Sequence, residues 1–475
     1  MYFKNINKTD EIYDKNIALY FEGKIDICEH ISEENKLLLK KLIEKENFSG
    51  KKEERLEVSF LEEAQLTNMV LIGMGKEESH VKENLRKTIY EVLDGVKGSV
   101  LITASNEKLQ DPDTIAEVSN YLNYNFNKYK AGKKEKDLKI ELLSSREGEP
   151  GKEGNILGQS VNITRDLINE PANVIYPETL AIHTIFMGQK YGFEVEVLHE
   201  NTIESLGMKA YLAVARAAEK KPKFIVMRYK GDPKNPEEII GLVGKGVTYD
   251  TGGLSIKPSD GMASMKSDMG GAAVVIGTMT AVARMKLKKN VVAVIAACEN
   301  SIGGNAYRPG DIIGSMAGKS IEVVNTDAEG RMTLIDAITY IIRNEKVTEV
   351  IDVATLTGGV IIALGHDATG VFTNTDKMYK NLQIASKKWG EEVWRLPLLP
   401  QYKELIKSDV ADLKNTGGKL ASAATAAKFL EEFVENIPWM HLDIAGTSFI
   451  FSEKGYSKMG ATGETVRTLY SYIKG

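Results

Sequence analysis

The feature that most restricts the fold is a change of pattern near residue 220. From there on, nearly continuous apolar runs alternate with longer segments whose apolar residues recur every three to four positions. The runs are "EEIIGLVGKG", "NVVAVIAACEN", "SIEVVNT" and "TEVIDVATLTGG"; the longer segments are "MGGAAVVIGTMTAVARMK" and "RMTLIDAITYIIRNE". A strand without polar alternation is covered on both faces. Strand, helix, strand is the grammar of a mostly parallel or mixed sheet flanked by helices. Upstream, shorter strand-like runs, "NMVLIGMG" and "GSVLITAS", are separated by the helical stretch "SHVKENLRKTIYEVLDGV", which predicts a smaller α/β domain. The polar, glycine-rich and proline-bearing "SSREGEPGKEGN" marks a boundary, and "ILGQSVNITRDLINE" reads as a helix stopped before a Glu-Pro pair. The expected organisation is an N-terminal α/β domain over residues 1–145, a linker and connecting helix over 146–170, and a larger α/β domain over 171–475.

Charge and cysteine content narrow the function. A net charge of −5 and a pI near 5.9 argue against a chain built mainly to bind nucleic acid. The mixed-sign run "GKKEERLEV" reads as a solvated face. Cys28 and Cys298 form neither a disulfide framework nor a Cys-x-x-Cys zinc pattern. The opening "MYFKNINKTDEIYDKN" alternates charge and has no apolar segment, so no secretory signal is expected. Apolar stretches such as "DVATLTGGVIIALG" are glycine-broken and fall below the roughly 20 residues of a spanning helix. A cytoplasmic protein without a membrane partner is therefore expected.

Several familiar motifs fail on spacing. "GSMAGKS", residues 314–320, is one residue short of a phosphate-binding P-loop and runs into a strand where that mechanism needs a helix N-terminus; a turn before a strand is expected instead. "GKG" at 244–246 is an incomplete G-x-G-x-x-G, and no G-x-S-x-G elbow occurs. No two histidines are spaced as in H-E-x-x-H; His366 reads as a loop residue and His441 as a structural residue on a strand. A metal in this chain would be bound mainly by oxygen.

The chemistry-bearing residues concentrate where strands are expected to end and helices to begin, which is where such sheets bind ligands. Asp327 and Glu329 follow "SIEVVN", Lys245 and Asp250 follow "EEIIGLV", and Asp268 immediately precedes "MGGAAVV". One crevice is thus expected to collect four carboxylates and a lysine, with Lys257 among the neighbouring glycines. Asp327 and Glu329, two apart in extended backbone, would project to one side. Crowded carboxylates repel and shift one another's pKa, so positive charge has to sit among them. Arg331 could contribute, and two divalent cations would balance all four charges. A lysine ligates only as the neutral amine, which burial and nearby cations favour. Such a donor set suits zinc, manganese, magnesium or cobalt alike.

"NTDAEGR", "VGKGVTYDTGGLSIK" and "DMGGAA" together resemble the leucyl aminopeptidase (cytosol aminopeptidase) family of two-metal exopeptidases. The resemblance extends through "INEPANVIYPETLA", "NAYRPGD", "DVATLTGG", "ADLKNTGG" and "PWMHLDIAGT". The N-terminal 140 or so residues carry no motif of their own, and there the resemblance implies only a smaller α/β domain. Met332 stands where the family usually has leucine, and the C-terminal "GATGETVRTLYSYIKG" departs further from the pattern. The resemblance implies one ion held by Lys245, Asp250, Asp268 and Glu329 and a second held by Asp250, Asp327 and Glu329, aided by the Asp327 carbonyl. It implies attack by a metal-bridging water on peptides with a free N-terminus. It gives Lys257 the developing oxyanion and Arg331 a bound bicarbonate, and it places the first side chain against Met265, Asn325, Thr355 and Gly358. A homohexamer is implied as well. Two other readings are a DNA-binding role, which the acidic composition does not favour, and a catalytically silent relative, which would show a lost ligand; all five ligand positions are filled.

Overall fold

The computed structural model describes residues 2–475 apart from 10, 12, 28–30, 63, 78–80 and 133–135, so Cys28 lies outside the described residues. Two compact units emerge: residues 1–162 with 455–457, and residues 163–454 with 458–475.

The first unit holds a six-stranded sheet made of β1 (Phe3–Ile6), β2 (Lys15–Tyr20), β3 (Arg55–Glu62), β4 (Gln65–Gly73), β5 (Gly98–Ala104) and β6 (Leu138–Leu143). Its order is β1-β6-β5-β2-β4-β3, parallel except for the β3–β4 hairpin at one edge. The mixed-sign run lies at that edge, where β3 alternates between exposed and partly buried positions. Local signals fix the helices. Asp111 caps Pro112–Asn123 by accepting from the backbone N–H of Asp113 and Thr114, and the proline fills a position that needs no donor.

In the second unit the main sheet comprises β7 (Glu194–Leu198), β8 (Lys223–Lys230), β9 (Ile239–Asp250), β10 (Asn290–Asn300), β13 (Glu349–Ala354), β14 (Ala368–Thr373), β15 (Glu392–Arg395) and β17 (Trp439–Asp443). Its order is β15-β14-β17-β13-β9-β10-β8-β7, with a parallel centre and antiparallel pairings toward both edges. Two smaller sheets join β11 (Ile312–Gly314), β12 (Ser320–Glu322) and β16 (Leu413–Lys414), and β18 (Phe449–Ile450) with β19 (Gly460–Ala461). The expected mixed α/β architecture with a larger second domain is what the chain forms.

Three local expectations need correction. "SIEVVNT" gives only the three-residue β12, which pairs with β11 and β16 outside the main sheet. Asp327 therefore lies in a turn, and Glu329 opens the helix Glu329–Arg343; the two do not share an extended backbone. The apolar run before them is short of partners because Asn415 and Asp412 side chains, not a long strand, take up its backbone N–H groups. Lys245 lies inside β9, since that strand continues to Asp250. By contrast "GSMAGKS" forms the turn before a strand that was expected, between antiparallel β11 and β12, with Gly318 at φ 88°.

Two helices converge on Lys245, and glycines allow it. A Cβ on Gly271, in the helix Gly270–Arg284, would meet the Val353 carbonyl oxygen at 2.0 Å and the Lys245 backbone nitrogen at 2.8 Å. A Cβ on Gly330, in the helix Glu329–Arg343, would lie 2.4 Å from Lys245 Cε. The latter helix anchors its position with Met332, Ile335 and Ile338, which pack with Val243 and Val247 of β9 and Val294 of β10. No helix among the described residues is long and apolar enough to cross a membrane.

Candidate metal centre

At the end of the central strands, Asp250 closes β9 directly opposite Asn300, the last residue of β10. Asn300 Nδ2 donates to Asp250 Oδ1 at 2.8 Å, and the Gly252 N–H donates to the same oxygen at 2.8 Å. Asp250 Oδ2 faces Lys257 Nζ at 2.8 Å, and Lys257 also pairs with Asp327. Deeper in, Lys245 Nζ lies 2.7 Å from Asp268 Oδ1, 2.9 Å from Glu329 Oε1 and 3.0 Å from the Thr355 carbonyl. Thr355 Oγ1 donates to Asp268 Oδ1 at 2.8 Å and so fixes that carboxylate. Asp268 belongs to the 3-10 turn Met265–Met269, with its side chain turned to Lys245 rather than capping the helix that follows.

Oxygens of Asp250, Asp327 and Glu329 lie within 4.8 Å of one another. Asp268 stands beside that triad, joined to Glu329 through Lys245. Burial and the neighbouring Glu329 raise the Asp250 carboxyl, burial pushes Asp268 well above the usual range, and Asp327 is raised too, each only partly offset by the lysines. Lys245 lies between Asp268 and Glu329. Burial alone would lower its pKa, but Asp268, Glu329 and Asp250 outweigh burial and raise it, because its neighbours here are carboxylates rather than cations. The amine becomes a donor only when a cation takes over the charge of those carboxylates.

Arg331 is buried, donates from Nη1 to the Asn415 carbonyl at 2.9 Å, and leaves Nε without a partner. Burial pushes its pKa down to about 10 against the opposing pull of Glu329 and Asp443, so it stays a cation at neutral pH. Met265, Asn325, Thr355 and Gly358 line the same cavity of about 1020 Å³ as Lys245, Asp250, Lys257, Asp268, Asp327, Glu329 and Arg331. All eleven residues singled out in the sequence are therefore gathered at one place.

The donor set fits divalent cations. Asp268 Oδ2 and Glu329 Oε2 are buried with no hydrogen-bond partner, a costly state for carboxylate oxygens unless a cation answers them. Four carboxylates also outnumber the two lysines among them. By contrast His441 and His366 stand apart from this chemistry. His441 is buried and bound through Nδ1 to Asp352 Oδ1 at 2.5 Å, while His366 Nδ1 meets the Gly446 carbonyl at 2.7 Å. Sequence reasoning missed Asn300, Thr355 as the clamp on Asp268, and Asn415 behind Arg331. Asn300 was accessible in principle, since it ends the run "NVVAVIAACEN" that pairs in register with Asp250. Asn415 reaches the site from far along the chain, and no local signal announces it.

An open α/β sheet with a buried carboxylate–lysine centre at its strand ends defines a candidate metal-binding scaffold, and comparison with known proteins narrows it. Residues 162–470 match the family model for the catalytic domain of the cytosol aminopeptidase family, and residues 22–133 match its N-terminal domain. A probable cytosol aminopeptidase of Fusobacterium nucleatum is 47% identical, over 100% of this chain and 99% of its own length. Another, from Clostridium perfringens, is 46% identical over 96% of both. Among solved structures, a mutant of tomato leucine aminopeptidase aligns at TM-score 0.86 with 31% identity, covering 99% of this chain and 96% of its own. The bottromycin maturation enzyme BotP in complex with Mn aligns at TM-score 0.85 with 27% identity, covering 97% and 99%. The chain belongs to the cytosol aminopeptidase family. It is a metallo-aminopeptidase, and its reaction is metal-dependent hydrolysis at the N-terminus of peptides.

Proposed function

We propose that the chain releases single N-terminal residues, leucine among them, from peptides through a two-metal centre. The observation that carries this is the pair of unanswered buried oxygens, Asp268 Oδ2 and Glu329 Oε2, beside two further carboxylates at one cavity. Lys245, Asp250, Asp268 and Glu329 would hold one ion, and Asp250, Asp327 and Glu329 the other, with the Asp327 carbonyl assisting. The ions, Mn²⁺ or Zn²⁺ with Mg²⁺ or Co²⁺ as further candidates, supply Lewis acidity toward the scissile carbonyl and acidify the attacking water.

The rest follows from the chain's own groups. Lys257 is largely buried and paired with Asp250 and Asp327; both carboxylates hold it protonated against the cost of burial. Once those carboxylates turn to cations, its ammonium is free to stabilise the oxyanion, an interaction commonly worth about 3 kcal/mol per donor. Arg331 cannot serve as a base. Its unpartnered Nε is a donor for an anion, and a bicarbonate held there would accept the proton, since no histidine lines the cavity among the described residues. Asn325 Oδ1 accepts from the Asp327 N–H at 2.8 Å and thereby sets the turn that carries Asp327. Met265, Asn325, Thr355 and Gly358 would receive the first side chain. The free α-amine is recognised at the carboxylate–metal centre, which is why a blocked N-terminus would lose a contact. The family name carried by the relatives favours a cytoplasmic location, and the family resemblance favours a homohexamer.

The test is hydrolysis of Leu-Gly-Gly beside its N-acetylated form by metal-loaded protein. Release of free leucine from the first alone is expected; equal cleavage of both, or internal cleavage, contradicts the exopeptidase reading.

A further inference from the structure

Among the described residues, the buried side-chain atoms of the cavity that lack a hydrogen-bond partner are few. They are oxygens of the acidic residues, Arg331 Nε, and one neutral group, Ser448 Oγ. The charged atoms are accounted for by cations and an anion. Ser448 is not, and its surroundings are specific.

The residue is 2% exposed and lines the cavity together with Thr355, Ala445 and Phe449. Its backbone is fully engaged: its N–H donates to the Ile444 carbonyl at 3.0 Å, and its carbonyl accepts from the Thr462 N–H at 3.0 Å. Ser448 Cβ and Oγ each lie 3.5 Å from where a Cβ on Gly270 would be, and Thr355 Cγ2 lies 3.2 Å from the same point. Ser448 and the methyl of Thr355 therefore flank one spot at the start of the helix Gly270–Arg284. Other hydroxyls of this wall are committed: Thr355 Oγ1 donates to Asp268, Thr357 Oγ1 to Asp443, and Ser267 Oγ to the Ser264 carbonyl. A buried hydroxyl left unpaired is unfavourable, and a ligand atom that pairs with it recovers that loss.

We propose that Ser448 is a specificity-determining residue, whose hydroxyl hydrogen-bonds an uncharged polar first side chain, so that amide- or hydroxyl-bearing N-terminal residues are taken beside aliphatic ones. The proposal rests on the aminopeptidase reading and on the first side chain entering beside Thr355. Leucine and asparagine test it well, because their side chains share one branched shape and differ in polarity. Met265, Leu356 and Ala445 line the same cavity and offer apolar surface to the shape of either; a neutral polar group such as Ser448 Oγ distinguishes them in asparagine's favour.

The experiment compares kcat/KM for leucyl- and asparaginyl-aminomethylcoumarin in wild type, Ser448→Ala and Ser448→Thr, with circular dichroism and metal content as controls of folding and loading. In Ser448→Ala the asparagine-to-leucine ratio is expected to fall by about tenfold, the worth of one neutral hydrogen bond whose loss leaves a buried amide unpaired. Ser448→Thr, which keeps the hydroxyl, should hold the ratio within about threefold of wild type. A general packing defect would lower both substrates together and leave the ratio unmoved. An unchanged ratio in Ser448→Ala with leucine hydrolysis retained overturns the role of Ser448 and leaves the peptidase reading intact. Failure of metal-loaded wild type to hydrolyse the leucine substrate overturns that reading, and the proposal with it.

Discussion

Replacing Lys257 by methionine separates its role from that of the metal ligands. The ammonium sits 2.8 Å from Asp250 Oδ2, a pair worth about 6 kcal/mol in gross Coulomb energy at an effective dielectric of about 20. Desolvation of both groups offsets most of that, since Asp250 is buried and Lys257 is only 17% exposed. Lys257 thus competes with a cation for Asp250 and Asp327, and its removal frees both carboxylates. Divalent-ion affinity in Lys257→Met should hold or tighten, by up to about tenfold. Catalysis should nevertheless collapse, with kcat lower by about 10²–10³, because one donor to the oxyanion is gone. The assay pairs a Mn²⁺ titration by calorimetry with leucine anilide kinetics at saturating metal. A variant that keeps kcat within about fivefold of wild type, or one whose defect is weakened metal binding, would exclude this role for Lys257.

Asp268→Ala and Glu329→Ala each remove a carboxylate with an unanswered buried oxygen, so metal retained after dialysis should drop and the affinity should weaken by at least about 100-fold, read by elemental analysis. Arg331→Ala should lose about 10²-fold in kcat and should no longer respond to bicarbonate, whereas wild type in carbonate-depleted buffer should speed up when it is added. Asp336 is buried, and burial raises its pKa from 3.8 to about 7 despite backbone N–H donors from Met316, Tyr211 and Ala210. Between those values the folded state keeps a proton that the unfolded state gives up. Stability from this group is therefore lost as pH rises from about 4 to about 7, by something on the order of 4 kcal/mol. Asp336→Asn should flatten that slope in urea unfolding between pH 4 and 8; an unaltered slope would count against it.

Much of the carboxylate–lysine cluster could be read from the sequence because its residues fall in two short segments, 243–273 and 325–331, where acidic and basic side chains stand among glycines. Less was legible in how those segments are carried. β12 looked like a member of the main sheet because an apolar run of this length suits either sheet, and periodicity does not say which partners it finds. Glu329 reads as extended until the helix is seen to begin on it, since no Ser, Thr, Asp or Asn stands at Ala328 to announce the start. The raised pKa of Lys245 follows from Asp268 and Glu329 lying on either side of its amine, a juxtaposition made by Gly271 and Gly330 letting two helices close on β9. Ser448 carries no such signal, because a serine followed by two apolar residues in a loop has no periodicity to betray a cavity.

The proposed aminopeptidase activity requires two divalent ions at Lys245, Asp250, Asp268, Asp327 and Glu329. Its most direct test is to titrate chelator-stripped protein with Mn²⁺ while recording leucine anilide hydrolysis and bound metal together. Activity should be absent without metal and reach its plateau at about two bound ions per chain. Full activity in the stripped protein, or a plateau at a single ion with no change on further binding, would contradict it.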